Sequence, residues 1–416
     1  MLQSHVSLHQ QAEPKANILY ISYNGIDEPL VYSQVLAYLE GLVALGYRFH
    51  LITFERADMD ATWISTRQEQ LRQQGVEWSP VLAHKGLGAL SAGIDVLNGL
   101  RVTRPLLGSG VSFVHARSFV PALIARCLKA LTGVKFLNDI RGFWVDEKVY
   151  KGSLRAGGIY FRIGKWLESW VLTGSDYIVS LTDAGRVELT RFSCFKDGKL
   201  PPAVTIPTCV DAGRFAFRPK PRPNINLLVV GYVGSMGADY LPEEVVRVFS
   251  RIKLHLPGAV LRIVSRSDQA TIRAMLHEAG LPDSSYYVVS VKPERVPDEI
   301  ACLDIALSFI RPGYAKIASC PTKLGEYLAV GVPVVCNSGI GDVDDIVLQN
   351  AVGTVLDGFS ESEVNGLLAT LPTMLDDPDL PTRCRSLALD YFSLEKGISR
   401  YDQVYTSLLR KQIVHD

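Results

Sequence analysis

Short apolar runs rich in β-branched residues alternate with longer segments of helical spacing along the whole chain. At about 30–45, apolar residues recur at helical spacing from Val31 to Leu42, and Gly46 follows as a helix stop. Strand–helix–strand repeats of this kind predict an α/β fold with parallel sheets and helices on both faces. The predicted strands are 17–23, 48–54, 111–115, 134–138, 177–182, 203–206, 226–233, 259–265, 286–291, 303–310, 332–336 and 353–356.

The alternation is interrupted once, at 217–225, where three prolines occur within five residues. Proline fits neither a helix interior nor a central strand, so this segment predicts a stiff linker. We therefore expect two doubly wound domains, 17–216 and 226–394, that face each other across a cleft. A disordered lead-in, 1–16, precedes them, and a C-terminal helix, 395–416, packs back toward the first domain. Ligands of such sheets bind beyond the carboxyl ends of the strands.

The composition of the 416 residues agrees with a globular protein of two large domains. Apolar residues make up 47%, and no apolar run reaches the about 18 residues of a membrane-spanning helix. The seven cysteines are scattered, with neither a CxxC pair nor zinc-ligand spacing, which favours reduced thiols and a cytoplasmic location. The N-terminal residues lack the positive charge and apolar core of a secretory signal.

The formal net charge is zero, from 43 basic and 43 acidic residues, but the charges are segregated. Residues 1–100 carry a net charge of −4, residues 101–222 carry +11, and residues 223–416 carry −7. The neutral total argues against a nucleic-acid partner. The cationic middle predicts an anionic acceptor or an anionic membrane surface on that side of the molecule.

The helix that begins near Ser319 carries the most informative chemistry. Pro321 is expected at its first position, since its missing N–H would be unpaired there anyway. The backbone N–H groups of Thr322 and Lys323 then lie at the positive end of the helix dipole, and the Lys323 side chain adds a full charge. This pattern predicts a diphosphate site at Ser319, Thr322 and Lys323, with Glu326 accepting hydrogen bonds from ribose hydroxyls. The alternative is a plain helix cap with a solvated glutamate.

The string Glu-Tyr-Leu-Ala-Val-Gly-Val-Pro-Val-Val at 326–335 resembles the E-A-x-A-x-G-x-P-V-V element of family 4 of the retaining glycosyltransferases. Residues 315–327 resemble the S-K-x-x-S-x-P-T-K-L-x-E-Y pattern of one sub-branch. The resemblance covers nearly the whole chain and implies a GT-B fold of two Rossmann-like domains. The family often has a second glutamate, which contacts the donor sugar, where this chain has Ala318.

A glycine turn at 231–237 follows the first strand of the second domain. Glycine allows close approach of a phosphate or ribose, so Gly234 and Ser235 are candidate donor contacts. The family commonly has an arginine at the place of Ser235. The phosphate charge must then be offset by other cations, for which the candidates are Lys316, Lys323 and Arg266. The alternative for Arg266 is an ordinary surface charge.

In the first domain, a loop with Gly25 precedes the sequence DEPLVYSQVL at 27–36, which resembles a D-P-L-x-x-S-Q-V-L signature of the same sub-branch. The loop stands at a strand-to-helix join, where Gly25 could meet the donor or the acceptor from the opposite side of the cleft. The alternative is a turn with a helix cap.

Polar residues also end two neighbouring strands of the first domain. The acceptor-side candidates at these strand ends and in the loop that follows are His115, Arg117, Asp139 and Trp144. In the wider family a histidine often stands at the place of Arg141, near the transferred sugar. Arg141 stays protonated and cannot act as a base, so it either clamps a phosphate or pairs with Asp139 or Asp146. The alternative for His115 is a buried, hydrogen-bonded core histidine.

A helix predicted at about 155–173 has an apolar stripe, which is typical of a helix packed against a core. The alternative is docking on an anionic membrane, where a lipid-linked acceptor would lie. The stripe consists of Ile159, Ile163, Trp166, Leu167 and Trp170, and Arg155, Arg162 and Lys165 lie elsewhere on the helix.

The resemblance implies a hexosyltransferase that uses a UDP- or GDP-sugar and a glycan or polyprenyl-linked acceptor, with retention of configuration, in cell-surface polysaccharide or glycoconjugate synthesis. Lys323, Lys316 and Arg141 would be catalytic through charge stabilisation. We expect neither a cofactor nor a metal, since Asp342, Asp344 and Asp345 are better placed to cap a helix. The expected location is cytoplasmic, at the inner membrane face. The alternatives are a UDP-sugar 2-epimerase and a donor-binding relative without catalysis.

Overall fold

The computed structural model describes residues 14–84, 89–220 and 224–410 and contains two parallel sheets. The first has strand order β3-β2-β1-β4-β5-β6-β7, and its strands are β1 (Ala16–Ser22), β2 (Tyr47–Glu55), β3 (Val76–Leu82), β4 (Val111–Arg117), β5 (Lys135–Asp139), β6 (Tyr177–Ser180) and β7 (Ala203–Thr205). The second has order β10-β9-β8-β11-β12-β13, and its strands are β8 (Val229–Val233), β9 (Val260–Val264), β10 (Tyr286–Val289), β11 (Ile305–Ser308), β12 (Val334–Asn337) and β13 (Gly353–Leu356).

Helices connect the strands and cover both faces of each sheet, as parallel pairing requires. They are α1 (Pro29–Val31), α2 (Ala37–Ala44), α3 (Ala61–Gln73), α4 (Ala89–Leu106), α5 (Phe119–Thr132), α6 (Trp144–Tyr150), α7 (Ile159–Gly174), α8 (Asp183–Thr190), α9 (Pro242–His255), α10 (Gln269–Glu278), α11 (Val296–Ala301), α12 (Thr322–Val330), α13 (Val343–Gln349), α14 (Glu361–Leu375), α15 (Leu380–Leu387) and α16 (Leu394–Arg410). A π-helical turn, Tyr32–Leu36, joins α1 to α2, so the single helix predicted at 30–45 has three parts.

The central strand β1 shows why the first domain has two cores. Ile18 and Tyr20 point to one face of the sheet and pack against α2 and α16. Leu19 and Ile21 point to the other face and pack against α5. Because side chains alternate along a strand, a continuous apolar run fills both layers.

One strand and several boundaries differ from the sequence predictions. The edge strand β3 was not predicted, because its sequence contains Pro80 and two polar residues, Glu77 and Ser79. Proline is tolerated at a sheet edge, where one side of the strand needs no partner. The predicted lead-in is wrong at its last residue, since Ala16 begins β1, and residues 1–13 of it lie outside the described residues.

The C-terminal helix α16 packs on the first sheet, although the second domain precedes it in the chain. Tyr401, Val404, Tyr405 and Leu408 are buried in the same core as β1. The last residues of the predicted helix, 411–416, lie outside the described part of the chain.

The predicted linker is described up to residue 220, and residues 221–223 are not described. Two ion pairs hold its first half against the second domain. Arg218 pairs with Asp298 at 2.5 Å, and Lys220 pairs with Asp304 at 2.6 Å.

The two domains meet through a small apolar cluster and several polar contacts. Ala318 of the second domain is buried among Phe143, Leu172 and Leu189 of the first. A β-carbon at Gly185 would lie 2.9 Å from that of Ala318, so the contact is close. The second glutamate that the family pattern places at 318 therefore has no room here.

Asp342 joins the domains at the N-terminus of α8. Its carboxylate accepts hydrogen bonds from the backbone N–H groups of Asp183 at 2.6 Å and Ala184 at 2.8 Å. Asp342 is the N-cap residue of α13, the helix that follows it, as predicted, but its side chain makes no cap hydrogen bond there. A carboxylate suits the positive end of a helix, so this contact stabilises the closed arrangement.

None of the described helices combines the length and the apolar character that crossing a membrane requires.

Candidate active site

The candidate site forms where α12 begins, opposite the glycine turn that follows β8. Pro321 is the N-cap residue, with extended backbone angles, and the helix starts at Thr322. The prediction that Pro321 is the first helical residue is thus wrong by one position. The first N–H groups of the helix have no carbonyl partner within it, so this end favours an anion.

Lys323 is buried beneath this turn and is 7% exposed. Its Nζ atom has no hydrogen-bond partner. It lies 4.0 Å from the ring centre of Tyr232 and 4.4 Å from that of Tyr240. Burial lowers the pKa of Lys323 to about 7, and the nearby Glu326 opposes this. A buried amine without an acceptor, flanked by two aromatic faces, is suited to an anionic ligand.

The glycine turn faces this amine. A β-carbon at Gly234 would lie 3.1 Å from Lys323 Nζ, and its φ of +131° is rarely adopted by other residues. The Gly234 N–H donates to the Val264 carbonyl at 2.9 Å, which fixes the turn to the neighbouring strand. Gly231 instead abuts the Leu303 side chain, so that glycine is required for packing.

Ser235 lies in the turn and Arg266 near it, and neither is hydrogen-bonded to Lys323 Nζ. The Ser235 carbonyl accepts a hydrogen bond from the Tyr232 hydroxyl at 2.5 Å. Arg266 is exposed just beyond the end of β9. The loop that carries it is tied to the turn, because Ser267 Oγ accepts a hydrogen bond from the Met236 N–H at 3.0 Å.

Glu326 lies one helical turn after Thr322 and is half-buried. Burial raises its pKa to about 7, and the charges of Arg214 and Lys323 oppose this increase. A carboxylate and an amine thus lie together at one helix start, and burial disfavours the charge of each.

Lys316, the second candidate lysine, is also buried. Its Nζ pairs with Asp239 at 3.0 Å, and Asp239 also pairs with Lys151 of the first domain at 2.9 Å. The backbone carbonyl of Lys316 accepts a hydrogen bond from the Ser319 N–H at 3.0 Å. Lys316 and Lys323 therefore both contact the loop 234–240, Lys316 at Asp239 and Lys323 at Gly234 and Tyr240.

The end of α6 closes the site from the first domain. The Tyr150 ring centre lies 5.0 Å from Lys316 Nζ, and its hydroxyl donates to the Arg311 carbonyl at 2.7 Å. The cleft predicted between the domains is thus bounded here by contacts from both.

The polar strand ends of the first domain form a buried network with the C-terminal helix. His115 Nδ1 lies 2.7 Å from the Tyr405 hydroxyl, and His115 Nε2 lies 3.4 Å from Asp139 Oδ2. The Tyr401 hydroxyl donates to Asp139 at 3.1 Å, and Arg141 donates to the other Asp139 oxygen at 3.3 Å. These contacts are those of a buried, hydrogen-bonded core histidine at His115. Arg141 forms an ion pair with Asp139.

Burial alone would raise the pKa of Asp139, but Arg141 and His115 hold it well below its usual range. Arg117 is also buried, and its Nε has no hydrogen-bond partner. His115 and Arg117 therefore lie inside the domain, next to α16.

Trp144 lies apart from this network, at the start of α6, on the wall of an apolar pocket. Its ring stacks on Phe119 at a centre distance of 4.8 Å. The pocket is lined by apolar side chains and a few polar ones, among them Phe119, Asn138, Arg141, Phe143, Glu147 and Glu168. Arg141 thus borders both the network and the pocket.

Gly25 packs against its own domain. A β-carbon there would lie 2.7 Å from Glu55 Oε2, and the Ile26 N–H donates to Glu55 at 2.8 Å. Contacts within the first domain therefore explain why a glycine is needed at position 25. They do not involve the second domain.

Sequence reasoning missed Tyr232, Tyr240 and Asp239, which surround the two lysines. Tyr232 lies inside the glycine turn at 231–237, so the sequence alone could have identified it as a neighbour of the site. Tyr240 and Asp239 follow the turn with no recognisable motif, and only their contacts with Lys323 and Lys316 identify them.

The chain is similar to solved structures of the GT-B fold. Sucrose-phosphate synthase from Thermosynechococcus elongatus has a TM-score of 0.72 at 14% identity, over 95% of this chain and 100% of that chain. A glycosyltransferase from Rickettsia africae has a TM-score of 0.68 at 15% identity, over 95% and 99%. HepE from Anabaena, in complex with UDP-glucose, has a TM-score of 0.66 at 12% identity, over 94% and 100%. At sequence identities this low, the structural similarity shows that the fold is shared and nothing more.

No curated protein matches the chain. Two family descriptions match it, one for each domain. "Glycosyl transferase 4-like domain" matches residues 32–200, and "Glycosyl transferases group 1" matches residues 214–388. The two ranges together span most of both sheets, and the chain is therefore a glycosyltransferase with a glycosyltransferase 4-like N-terminal domain and a group 1 C-terminal domain.

Proposed function

We propose that this transferase moves a hexose from a UDP- or GDP-sugar to a glycan or polyprenyl-linked acceptor, with retention of configuration. The observation that carries the donor assignment is the buried, unpartnered Nζ of Lys323 beside Gly234 and the start of α12. The UDP-glucose complex of HepE supports a nucleotide sugar as the donor class.

In the proposed mechanism, the donor diphosphate lies between the glycine turn and the α12 N-terminus. Negative charge grows on the diphosphate as the sugar–phosphate bond breaks. Protonated Lys323 and the first N–H groups of α12 stabilise that charge, and they need no rearrangement to do so. Glu326 accepts hydrogen bonds from the ribose hydroxyls. Lys316 adds a second cation once the diphosphate replaces Asp239 as its partner.

The acceptor is assigned to the pocket beside Trp144. It lies in the first domain beyond the ends of β4 and β5, where doubly wound sheets bind ligands. Its aromatic walls suit a sugar ring or an isoprenoid chain, and Arg141 at its border suits an acceptor phosphate. We assign the enzyme to cell-surface polysaccharide or glycoconjugate synthesis at the cytoplasmic face of the membrane.

A thermal-shift series with UDP-, GDP-, ADP- and TDP-sugars identifies the donor, since a bound ligand stabilises the fold according to its concentration over its dissociation constant. Transfer is then assayed with glycan and polyprenyl-phosphate acceptors, with and without EDTA. NMR of the product gives the anomeric configuration. We expect retention and full activity in EDTA.

Lys323→Ala and Glu326→Ala should abolish the thermal shift and most of the transfer. Lys292→Ala, at an exposed lysine of the same domain, is the matched control. Wild-type turnover in both variants would contradict the assignment of Lys323 and Glu326 to the donor site. Release of free UDP with an altered sugar and no glycosylated acceptor would instead indicate an epimerase.

A further inference from the structure

The outer face of α7 is apolar and uncovered in the structure. Ile159 is 64% exposed, Tyr160 65%, Ile163 47% and Trp166 64%. The prediction that this stripe packs against the core is therefore wrong for Ile159, Ile163 and Trp166. Single exposed apolar residues are common, but four large ones on one helix face mark an interaction surface.

The opposite face of α7 explains why these residues point outward. Glu168, Val171 and Leu172 are buried against the first domain. A β-carbon at Gly164 would lie 3.1 Å from Val145, so the helix approaches α6 closely on that side. Fixed by this inner face, the helix presents its apolar face away from the domain.

Basic residues outnumber acidic ones along this helix, and some of the basic charge is left without an ion pair. Residues 148–166 contain five basic and no acidic side chains. Lys151 and Lys165 are neutralised by Asp239, Asp146 and Glu168. Arg155 and Arg162 are exposed, and no ion pair is found for either within the described residues. Two uncompensated guanidinium groups thus lie beside the exposed apolar side chains.

We propose that α7 docks this enzyme on an anionic lipid bilayer. Ile159, Ile163 and Trp166 enter the boundary between headgroups and acyl chains, and Arg155 and Arg162 pair with lipid phosphates. Charge complementarity selects this occupant, since the basic flanks attract anionic headgroups while the apolar residues require a nonpolar phase. The strongly positive net charge of 101–222 acts in the same direction at longer range.

The same helix connects this surface to the acceptor pocket. Glu168, Val171 and Leu172 on its inner face line the pocket that also contains Trp144. A membrane at the outer face would therefore lie one helix diameter, about 10 Å, from the pocket. This step rests on the proposed function, because it assigns the acceptor to the lipid-linked class.

Vesicle co-sedimentation tests the docking directly, with pure phosphatidylcholine vesicles against vesicles that also contain phosphatidylglycerol. We expect binding to the anionic vesicles that weakens as salt rises. Arg155→Gln combined with Arg162→Gln should weaken it roughly 30-fold, at about 1 kcal/mol for each charge. Ile163→Glu should abolish it. Leu254→Glu, at a residue 74% exposed in the second domain, should bind like the wild type.

Tryptophan fluorescence gives a second readout. Trp166 is the one exposed tryptophan among the described residues. Anionic vesicles should shift its emission to shorter wavelength, and Trp166→Phe should remove that shift. Equal binding to neutral vesicles, absence of binding, or a dimer in sedimentation equilibrium that Ile163→Glu disrupts would each overturn the proposal.

Membrane docking can be tested separately from the proposed transferase activity. Donor binding in solution, measured by thermal shift, should be the same in wild type and Ile163→Glu. Transfer to a polyprenyl-linked acceptor in anionic vesicles should fall in that variant, while transfer to a short water-soluble analogue should not. A loss on both acceptors would overturn the membrane role and leave the transferase assignment in place.

Discussion

Lys323 lies on the first turn of α12 and Glu326 begins the next turn, and burial disfavours the charge of each. Burial lowers the pKa of Lys323 and raises the pKa of Glu326, both to about 7. A bound diphosphate would restore the lysine charge, and ribose hydroxyls would favour the carboxylate. The structure therefore predicts that ligand binding and protonation are linked at this site.

Replacing Lys323 by methionine should separate activity from stability. We expect transfer to fall by about 100-fold or more, which is typical when one preorganised charge donor is lost. The free energy of unfolding should stay equal or rise, because the variant no longer buries an unpartnered amine at a cost of about 1–3 kcal/mol. Urea unfolding and initial transfer rates measure the two effects. A large loss of stability in Lys323→Met, but not in Lys292→Met, would contradict this account.

The proton linkage should be visible in Glu326→Gln, where Lys323 is the titrating member of the pair. Its pKa is lowered in the free protein and rises when a diphosphate binds. Above pH 7, UDP binding should therefore take up protons, at most about one per UDP, and affinity should fall as pH rises. Calorimetry in buffers of different ionisation enthalpy measures the uptake. Affinity independent of pH from 7 to 9 would contradict the assignment of Lys323 to the phosphate.

At the scale of elements, α16 matters most for the first domain. Its Tyr401 and Tyr405 hold Asp139 and His115, and Asp139 in turn holds Arg141 at the border of the proposed acceptor pocket. The last helix of the chain thus positions a side chain at the carboxyl edge of a sheet formed much earlier in the sequence.

This network predicts an acid-sensitive contribution to stability. Asp139 has a lowered pKa in the folded protein, so it stabilises the fold fully above its unfolded pKa of about 3.9, and that contribution is lost as pH falls from there through the lowered pKa. Asp139→Asn should therefore lose about 3–5 kcal/mol at pH 7, and less below pH 4. Chemical unfolding at several pH values tests this, with exposed Asp197→Asn as the control. A pH-independent difference would contradict the ionised state of Asp139.

At the scale of the whole molecule, the two domains are held together by contacts at both sides of the cleft. Asp342 binds the N-terminus of α8, and Asp239 bridges Lys316 to Lys151. The proposed donor site thus lies beside contacts that a domain movement would break.

Removing one such contact should loosen the closed arrangement. In Asp342→Ala, the amides of Asp183 and Ala184 lose their acceptor, and we expect them to exchange hydrogen about 10-fold faster. Small-angle scattering should show a larger radius of gyration. Asp345→Ala, at an exposed position of α13, is the matched control. Unchanged exchange at both amides would mean that other contacts alone hold the domains.

The sequence could predict features that depend on neighbouring residues. Alternating apolar runs and helical spacing predicted the parallel α/β sheets, because side-chain period follows from local backbone geometry. The start of α12 was predicted to within one residue, since proline and the helix dipole act over a single turn. The edge strand β3 was missed, because its one-sided burial produces only a weak apolar pattern.

What the sequence by itself determined is thus the order of elements, the two-domain architecture and the helix start that carries Lys323 and Glu326. Tertiary structure alone decided that Ala318 is buried in the domain contact, that the Trp166 face of α7 points outward, and that His115 meets Tyr405, 290 residues away. The physical reason is range. Backbone geometry and helix dipoles act within a few residues, whereas burial and pairing depend on how distant elements pack together.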